Sequence, residues 1–123
     1  LEGLEYELHN NTVEVYVNAK RVFGTVEVIL ESAFDRETET KAVIRGTKGM
    51  LIIPDFHRPT SYVLQTEETM KSVEVPYKVD DFYGQITHVV DCLANGLTES
   101  PIMSLENSLN VAKLLDTIKA EIK

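Results

Sequence analysis

Residues 41–54 have the sequence Lys41-Ala-Val-Ile-Arg-Gly-Thr-Lys-Gly-Met-Leu-Ile-Ile-Pro54, in which two apolar runs flank a Gly-Thr-Lys-Gly tetrapeptide. The runs, Ala42–Ile44 and Met50–Ile53, are rich in residues that favour strands, and the glycines allow the positive φ that a tight reversal needs. The segment therefore predicts a β-hairpin. Both runs are apolar on consecutive residues, so we expect the hairpin in mid-sheet with both faces covered. Since the chain returns into a strand, the turn is not a phosphate-binding loop.

Two further strands are predicted upstream of this hairpin. Residues 13–18 alternate valine with polar side chains, and Thr25–Phe34 alternates in the same way after a turn at Lys20–Gly24. The charged segment Asp35–Thr40 then forms a solvated connection to the hairpin. Nearer the N-terminus, His9-Asn-Asn11 is a turn signal, and no packed element is expected before it.

Downstream of the hairpin, the predicted elements change from strands to helices. Tyr62–Gln65 and Ser72–Tyr77 are predicted as short strands. From Asp80 the apolar spacing becomes helical, with Asp80 or Asp81 as N-cap and Asn95-Gly96 as the end of the helix. The apolar stripe of this helix consists of Phe82, Ile86, Val89, Val90 and Leu93.

A second helix is predicted from Ser104, which is a suitable N-cap, with Glu106 favourably placed in the first turn. Its apolar side contains Leu105, Leu109, Ala112, Leu115 and Ile118. In the first helix we expect Phe82 in the core and the neighbouring Tyr83 as the more exposed ring.

Six strands followed by two helices indicate an α+β fold: one mostly antiparallel sheet with both C-terminal helices on one face, and residues 1–123 as a single domain. Two helices cover only one face, yet apolar side chains are expected on the other face as well. An open apolar face of this size favours self-association, so we expect a homo-oligomer that pairs through the sheet. The candidates for this dimer face are Ile29, Leu51, Ile52, Tyr62 and Leu64.

Composition restricts the class of partner. The chain of 123 residues carries a formal net charge of −8, with a pI near 4.8, which disfavours nucleic acid and anionic membrane as partners. No apolar run approaches the roughly 18 residues of a membrane span, and no signal-peptide pattern is present. With a single cysteine, Cys92, there is no disulfide framework, and a cytoplasmic location is expected.

The sequence contains no recognisable set of catalytic, cofactor-binding or metal-binding residues. Of the three histidines, His9 and His88 are expected to be solvated, and Cys92 to be a small apolar group within a helix. His57 and Arg58 lie in a short loop between strands, where ligand contacts concentrate. Together with the exposed ring of Tyr83 they are the substrate-cleft candidates, although a solvated surface loop is the more common explanation of such a segment.

Four short motifs resemble, in their order and spacing, the C-terminal domain of the Gfo/Idh/MocA oxidoreductases. The resemblance covers roughly Gly24–Lys123 and is greatest to the dihydrodiol/xylose dehydrogenase type. The motifs are Ala33-Phe-Asp35, Ala42-Val-Ile-Arg-Gly-Thr-Lys-Gly49, Cys92-Leu-Ala-Asn-Gly-Leu-Thr-Glu-Ser-Pro101 and Met103-Ser-Leu-Glu-Asn-Ser108.

The resemblance implies a parent enzyme that uses NAD or NADP to oxidise or reduce a sugar, polyol or diol. In that family the cofactor is bound by an N-terminal Rossmann domain with a Gly-x-Gly-x-x-Gly fingerprint, and catalysis uses a Glu-Lys-Pro lysine and an Asp/His pair. None of these motifs occurs here. The chain is therefore expected to be the back part of the C-terminal domain, inactive and without cofactor on its own, contributing to the substrate cleft and to the dimerisation sheet. The alternative is a stand-alone α+β binding or dimerisation module without enzymatic activity.

Overall fold

The computed structural model describes residues 1–122, which contain seven strands and two helices. Contacts within the chain divide it into two compact units. Unit 1 combines Leu1–Thr38 with the residues from Pro101 onward, and unit 2 is Glu39–Ser100. The fold is α+β, as predicted, and every strand pairing is antiparallel.

Unit 1 contains a three-stranded sheet in the order β1 (Gly3–His9), β2 (Val13–Phe23) and β3 (Val26–Ala33). Asn10 and Asn11 both have positive φ, of 52° and 57°, in the turn that joins β1 to β2. Asparagine tolerates this conformation better than most residues, which is why the predicted turn forms here.

The prediction that no packed element precedes residue 12 was wrong, because β1 occupies that segment. The signal was present, since Leu4, Tyr6 and Leu8 alternate with Glu5 and Glu7 and are the less exposed side chains of the strand. The predicted turn at residues 20–24 was also too long. β2 continues to Phe23, and the reversal is confined to Gly24 and Thr25.

The two faces of this sheet differ in chemistry. Directly opposed residues share a face in an antiparallel pair. Ala19 lies between Leu4 and Leu30, and at 2% exposure it is the most buried residue of the unit. The opposite face carries Lys20 paired with Ile29, and its other side chains include Glu5, Glu7, Glu27 and Glu31. Ile29, a dimer-face candidate, therefore lies on a charged face and is 60% exposed.

Unit 2 contains a four-stranded sheet in the order β4 (Ala42–Gly46), β5 (Gly49–Ile53), β6 (Ser61–Gln65) and β7 (Met70–Glu74). The predicted hairpin is confirmed as β4–β5, with Gly46 opposite Gly49 across a two-residue turn. Only Gly49 of these two glycines has positive φ, at 147°. β7 begins two residues earlier and ends three residues earlier than predicted.

The prediction of one sheet with about six strands was therefore wrong in its arrangement: seven strands form two sheets. β3 and β4 are joined by residues 34–41, which contain the charged run Asp35–Thr40 and not a tight turn. Without a hairpin to fix their register, sequence neighbours need not pair. The prediction of a covered mid-sheet strand is correct for β5, since all five of its residues are at least half-buried, but wrong for β4, which is an edge strand with Ile44 60% exposed.

Ser104 is the N-cap of the second helix, as predicted, whereas the first helix has Phe82 at its N-cap position and the predicted Asp80 acts from two residues further upstream. α1 (Tyr83–Ala94) belongs to unit 2, and Asp80 Oδ1 accepts hydrogen bonds from the backbone N–H groups of Phe82 and Tyr83, at 3.0 and 2.8 Å. Gly96, with φ of 69°, follows its end. α2 (Leu105–Glu121) belongs to unit 1, and Ser104 Oγ accepts from the Asn107 N–H at 3.1 Å.

The apolar sides of both helices remain largely exposed, in contrast to the prediction that both cover one sheet face. Phe82, expected in the core, is 56% exposed, whereas Tyr83 is half-buried. The buried residue of α1 is Cys92, which lies outside the predicted apolar stripe, whereas that of α2 is Ile118, which belongs to the predicted apolar side.

The accessible surface of the chain is 10,081 Å². Two separate globular domains, each with half the mass of this chain, would together expose about 8,000 Å². Much of the surface is apolar, since Ile44, Leu93, Leu105 and many other large hydrophobic side chains are more than 40% exposed. Apolar surface on this scale is typical of a protein surface that another chain or segment covers.

A cluster of charges connects the segment that follows β3 to β1. Arg36 donates two hydrogen bonds to the Glu7 carboxylate, at 2.7 and 3.0 Å, and two to Asp35, at 2.7 and 2.8 Å. Its guanidinium also lies 4.8 Å from the centroid of the Tyr16 ring. Hydrogen bonds from Arg36 lower the pKa values of both carboxyl groups.

Replacing Arg36 by methionine is expected to raise the pKa values of Glu7 and Asp35 toward their ordinary values of 4.5 and 3.8. Because the folded-state pKa values are lowered, the cluster stabilises the fold above these ordinary values, and the contribution is lost as the pH falls through the folded-state values. A carboxyl NMR titration measures both midpoints. Lys41→Met, which removes the separate Lys41–Glu39 ion pair, is the control and leaves them unchanged. Unaltered midpoints in the Arg36 variant would contradict the assignment.

Candidate functional site

The loop of residues 54–60, between β5 and β6, carries two of the three substrate-cleft candidates and is fixed by backbone hydrogen bonds. Phe56 N–H donates to the Thr40 carbonyl at 3.0 Å, and Arg58 N–H donates to the Asp55 carbonyl at the same distance. Asp55 has a φ of 49°. At the far end, Val75 N–H donates to the Thr60 carbonyl at 2.7 Å. The loop is therefore held at both ends within unit 2.

Arg58 connects this loop to the start of α1. Its Nε lies 2.9 Å from Asp81 Oδ2, and the Asp81 side chain is only 24% exposed. The Arg58 side chain is itself 66% exposed, so this ion pair is only partly shielded from solvent. The pair links the loop to Asp81, two residues before the first residue of α1.

Tyr83 and His57 occupy different environments. Tyr83, half-buried at the first position of α1, has the Lys78 ammonium 5.5 Å from its ring centroid. The structure brings Arg58 and Tyr83 to the same helix start, since Asp81 lies two residues before Tyr83. His57 is exposed and packs against Phe56, with ring centroids 4.2 Å apart.

An apolar cavity of about 340 Å³ lies beside this loop. Its lining residues come from β5, from β6, from the end of the loop and from the residue after β7; they are Leu51, Ile53, Pro59, Ser61, Tyr62 and Val75. None of these side chains is charged. Of these lining residues, only Leu51 and Tyr62 were candidates from the sequence, as dimer-face residues. The others could not be predicted, because the cavity depends on strand register and on the path of the loop.

The five dimer-face candidates do not share one face. Leu51 is directly opposite Leu64, so these side chains lie on the same face of the unit 2 sheet, and alternation along β6 adds Tyr62 to them. Ile52 is opposite Val63 and lies on the other face. Ile29 belongs to the other sheet. We call the face that carries Ile44, Leu51, Tyr62 and Leu64 the pairing face.

His88 and Cys92, four residues apart on α1, form a cluster with Ser100 that the sequence did not predict. His88 Nε2 lies 2.8 Å from Ser100 Oγ and 3.5 Å from Cys92 Sγ. The prediction that His88 is a solvated residue was wrong, since it is half-buried, whereas Cys92 is buried as expected. Both contacts use one ring nitrogen, and they fix the segment that follows α1. The i, i+4 spacing was the only available signal.

The described residues contain neither a metal-ligand cluster nor a membrane-spanning helix. Across residues 1–122, no three His, Cys, Asp or Glu side chains come together as metal ligands. Within the same residues, no helix has both the length and the apolarity needed to cross a bilayer. The cavity and the loop beside it are the candidate site of unit 2 because they bring apolar walls next to two of the substrate-cleft candidates.

Comparison with known proteins gives a consistent set of relatives. No family model matches the chain. Two proteins named trans-1,2-dihydrobenzene-1,2-diol dehydrogenase, from Xenopus tropicalis and Xenopus laevis, are each 35% identical to it, over 100 and 102 residues. A mouse protein of the same name is 32% identical over 87 residues. The Xenopus matches cover 76% of this chain but only 30% of each relative. The chain is thus similar to somewhat less than a third of the length of dihydrodiol dehydrogenases.

Proposed function

We propose that this chain is the C-terminal part of a Gfo/Idh/MocA-type oxidoreductase that uses NAD or NADP to act on a cyclic diol, or on a related sugar or polyol, in the cytoplasm. One observation carries the proposal: 35% identity over 100 residues to proteins that share one enzyme name. The motifs quoted above for the resemblance lie between Ala33 and Ser108.

In such a protein, nicotinamide binding and hydride transfer belong to residues outside this chain. A dinucleotide pyrophosphate is bound by backbone N–H groups at a helix N-terminus after a glycine-rich turn. Here the N-terminus of α1 is occupied by Asp80, whose carboxylate accepts from two N–H groups and would repel a phosphate. The contribution of this chain is then the loop of residues 54–60, which forms part of the substrate cleft, and a sheet surface for pairing.

We also propose that two copies pair through the pairing face. Ile44 and Leu64, in the same row of side chains across β4, β5 and β6, are 60% and 43% exposed. A two-fold arrangement lets one such patch cover itself. The charge of −8 on each chain opposes pairing, but at ordinary salt it is screened within about 10 Å.

The enzymatic part of the proposal is tested with two proteins. The full-length protein that contains this chain is expected to oxidise trans-1,2-dihydrobenzene-1,2-diol with NAD⁺ or NADP⁺, measured by the absorbance of the reduced nicotinamide. The 123-residue chain alone is expected to bind neither NADH nor NADPH in a calorimetric titration, because of the repulsive carboxylate and the acidic balance described above. A micromolar dissociation constant for the isolated chain would contradict the division of roles. Absence of turnover by the full-length protein with either nucleotide would favour the stand-alone binding module.

A further inference from the structure

The orientation of α1 is the reverse of the one that its amphipathic pattern predicts. A helix on a globular domain normally directs its apolar stripe at the core and its polar side chains at solvent. In α1 the less exposed side chains are Tyr83, Thr87, His88 and Cys92, three of which are polar. The apolar stripe lies on the opposite side, and its members are between 54% and 69% exposed; they are Phe82, Ile86, Val89, Val90 and Leu93. Unit 2 therefore presents this stripe outward.

The exposed stripe also lacks the charges of a solvated helix. Asp91 is the only acidic or basic side chain of α1 besides His88. At 100° per residue it lies about 140° around the helix from Ile86, outside the stripe. The 17 residues of α2, by comparison, include five acidic or basic side chains. Large apolar groups with charges depleted are typical of the buried core of an interface. The composition of the stripe thus indicates a surface that is covered in the complete protein.

The relatives contain enough polypeptide to cover the stripe. The 100 residues matched in the Xenopus tropicalis protein are 30% of its length, which is therefore about 330 residues, against 123 in this chain. More than half of such a protein has no counterpart here. Domains of one polypeptide bury roughly 600–1,500 Å² where they meet, so an outward apolar helix face is expected where one part of a longer protein packs on another.

A second copy of this chain fits the stripe less well. The pairing face is already proposed to join two copies about a two-fold axis. A second self-complementary face on the same chain would link those pairs further, into tetramers or into open chains of copies. A part of the same polypeptide covers the stripe without extending the assembly, and its covalent connection keeps its effective concentration at the stripe high.

We propose that the apolar stripe of α1 is the docking surface for the part of the same polypeptide that lies outside this chain. The inference rests on the proposed function, which makes this chain one part of a longer protein. The contacting side of the docked part is apolar, because a charge buried against the stripe would have no partner. Phe82, at one end of the stripe, is adjacent to Asp81, whose carboxylate lies 2.9 Å from Arg58 Nε. The docked part and the loop of residues 54–60 therefore contact the same end of α1.

The test compares the full-length protein with the 123-residue chain by thiol labelling of an Ile86→Cys variant. Ile86 is 61% exposed, so the smaller thiol side chain leaves the fold of unit 2 intact. In the full-length protein, N-ethylmaleimide is expected to react with this thiol at least about a hundredfold more slowly than in the chain alone, because labelling requires local opening of the interface. Mass spectrometry of the peptides measures both rates and separates this thiol from the buried Cys92.

The control is Glu68→Cys, an exposed charged position in the turn between β6 and β7 of the same unit. Its labelling rate is expected to be equal in the two proteins. Equal rates for the Ile86→Cys variant in the two proteins overturn the inference. A rate that falls in the 123-residue chain as its own concentration is raised identifies a second copy as the occupant, which also overturns it.

Failure of this inference can be distinguished from failure of the proposed function. Diol turnover by a full-length Ile86→Cys variant whose thiol is labelled freely leaves the enzyme standing without this docking surface. Protection of the thiol in a full-length protein that shows no turnover with either nucleotide retains the docking surface and refutes the enzyme. A gene that encodes no residues beyond these 123 overturns both.

Discussion

Replacing Gly49 by valine is expected to lower the free energy of unfolding by at least about 2 kcal/mol. Two physical effects act at this position. The residue has a φ of 147°, which side chains rarely adopt, and a Cβ would lie 2.1 Å from the backbone carbonyl oxygen of Gln65 on the neighbouring strand. Because that oxygen belongs to backbone, it cannot move away as a flexible side chain would. The valine must therefore displace the start of β5 from β6.

Two other glycines separate these effects in the same measurement, the unfolding of each variant by urea. Gly46, opposite Gly49 in the same hairpin, has no positive φ, and its added Cβ would lie 3.7 Å from the nearest backbone atom. Gly46→Val is expected to cost less than about 1 kcal/mol. Gly24 has a φ of 62°, but a Cβ added there would have no heavy atom within 4 Å. Gly24→Val therefore reports backbone strain without a clash. Equal losses in the Gly46 and Gly49 variants would show that the clash is not the cause.

The features that the sequence predicted correctly are those fixed by local chemistry. The hairpin at Gly46–Gly49, the asparagine turn at Asn10-Asn11, the cap of α1 by Asp80 and the cap of α2 by Ser104 all form where predicted. Each depends on residues within about four positions along the chain, such as a glycine with the required φ or a side-chain oxygen within reach of free N–H groups. Alternation along β3 likewise placed Val28 and Ile29 on opposite faces.

The features that could not be predicted depend on pairing between distant segments. Alternation alone places Leu51 and Ile52 on opposite faces, but only the register with β6 shows that Leu51 is the one that shares its face with Leu64. The separation into two sheets and the path of loop 54–60 likewise depend on pairing between distant segments. The cavity requires all of these at once, so its residues carry no signal in the sequence. The contact between His88 and Ser100 joins positions twelve residues apart and was missed for the same reason.

Pairing through the unit 2 sheet is the most consequential of the untested proposals, because it assigns a partner to apolar surface that the chain leaves exposed. A stable interface of ordinary size buries about 800 Å² on each partner. At about 25 cal/mol per Å², this area supplies enough gross hydrophobic energy to outweigh the entropy lost on association. The centre of the patch is the row Ile44, Leu51 and Leu64, in which the two outer side chains are more than 40% exposed.

Leu64→Asp is expected to raise the dissociation constant of the pair at least about a hundredfold, because an unpaired carboxylate would be buried once in each copy of a two-fold interface. Sedimentation velocity across micromolar concentrations measures this change. Ile29→Asp is the matched control: it introduces the same charge at a side chain of 60% exposure, on the charged face of the other sheet. It is expected to leave pairing intact. A wild-type chain that sediments as a monomer at all concentrations, or an equal loss in both variants, would rule out the pairing face as the interface. Selective loss in the Leu64 variant would also explain why Leu64, on the same sheet face as Leu51, is apolar although it is 43% exposed.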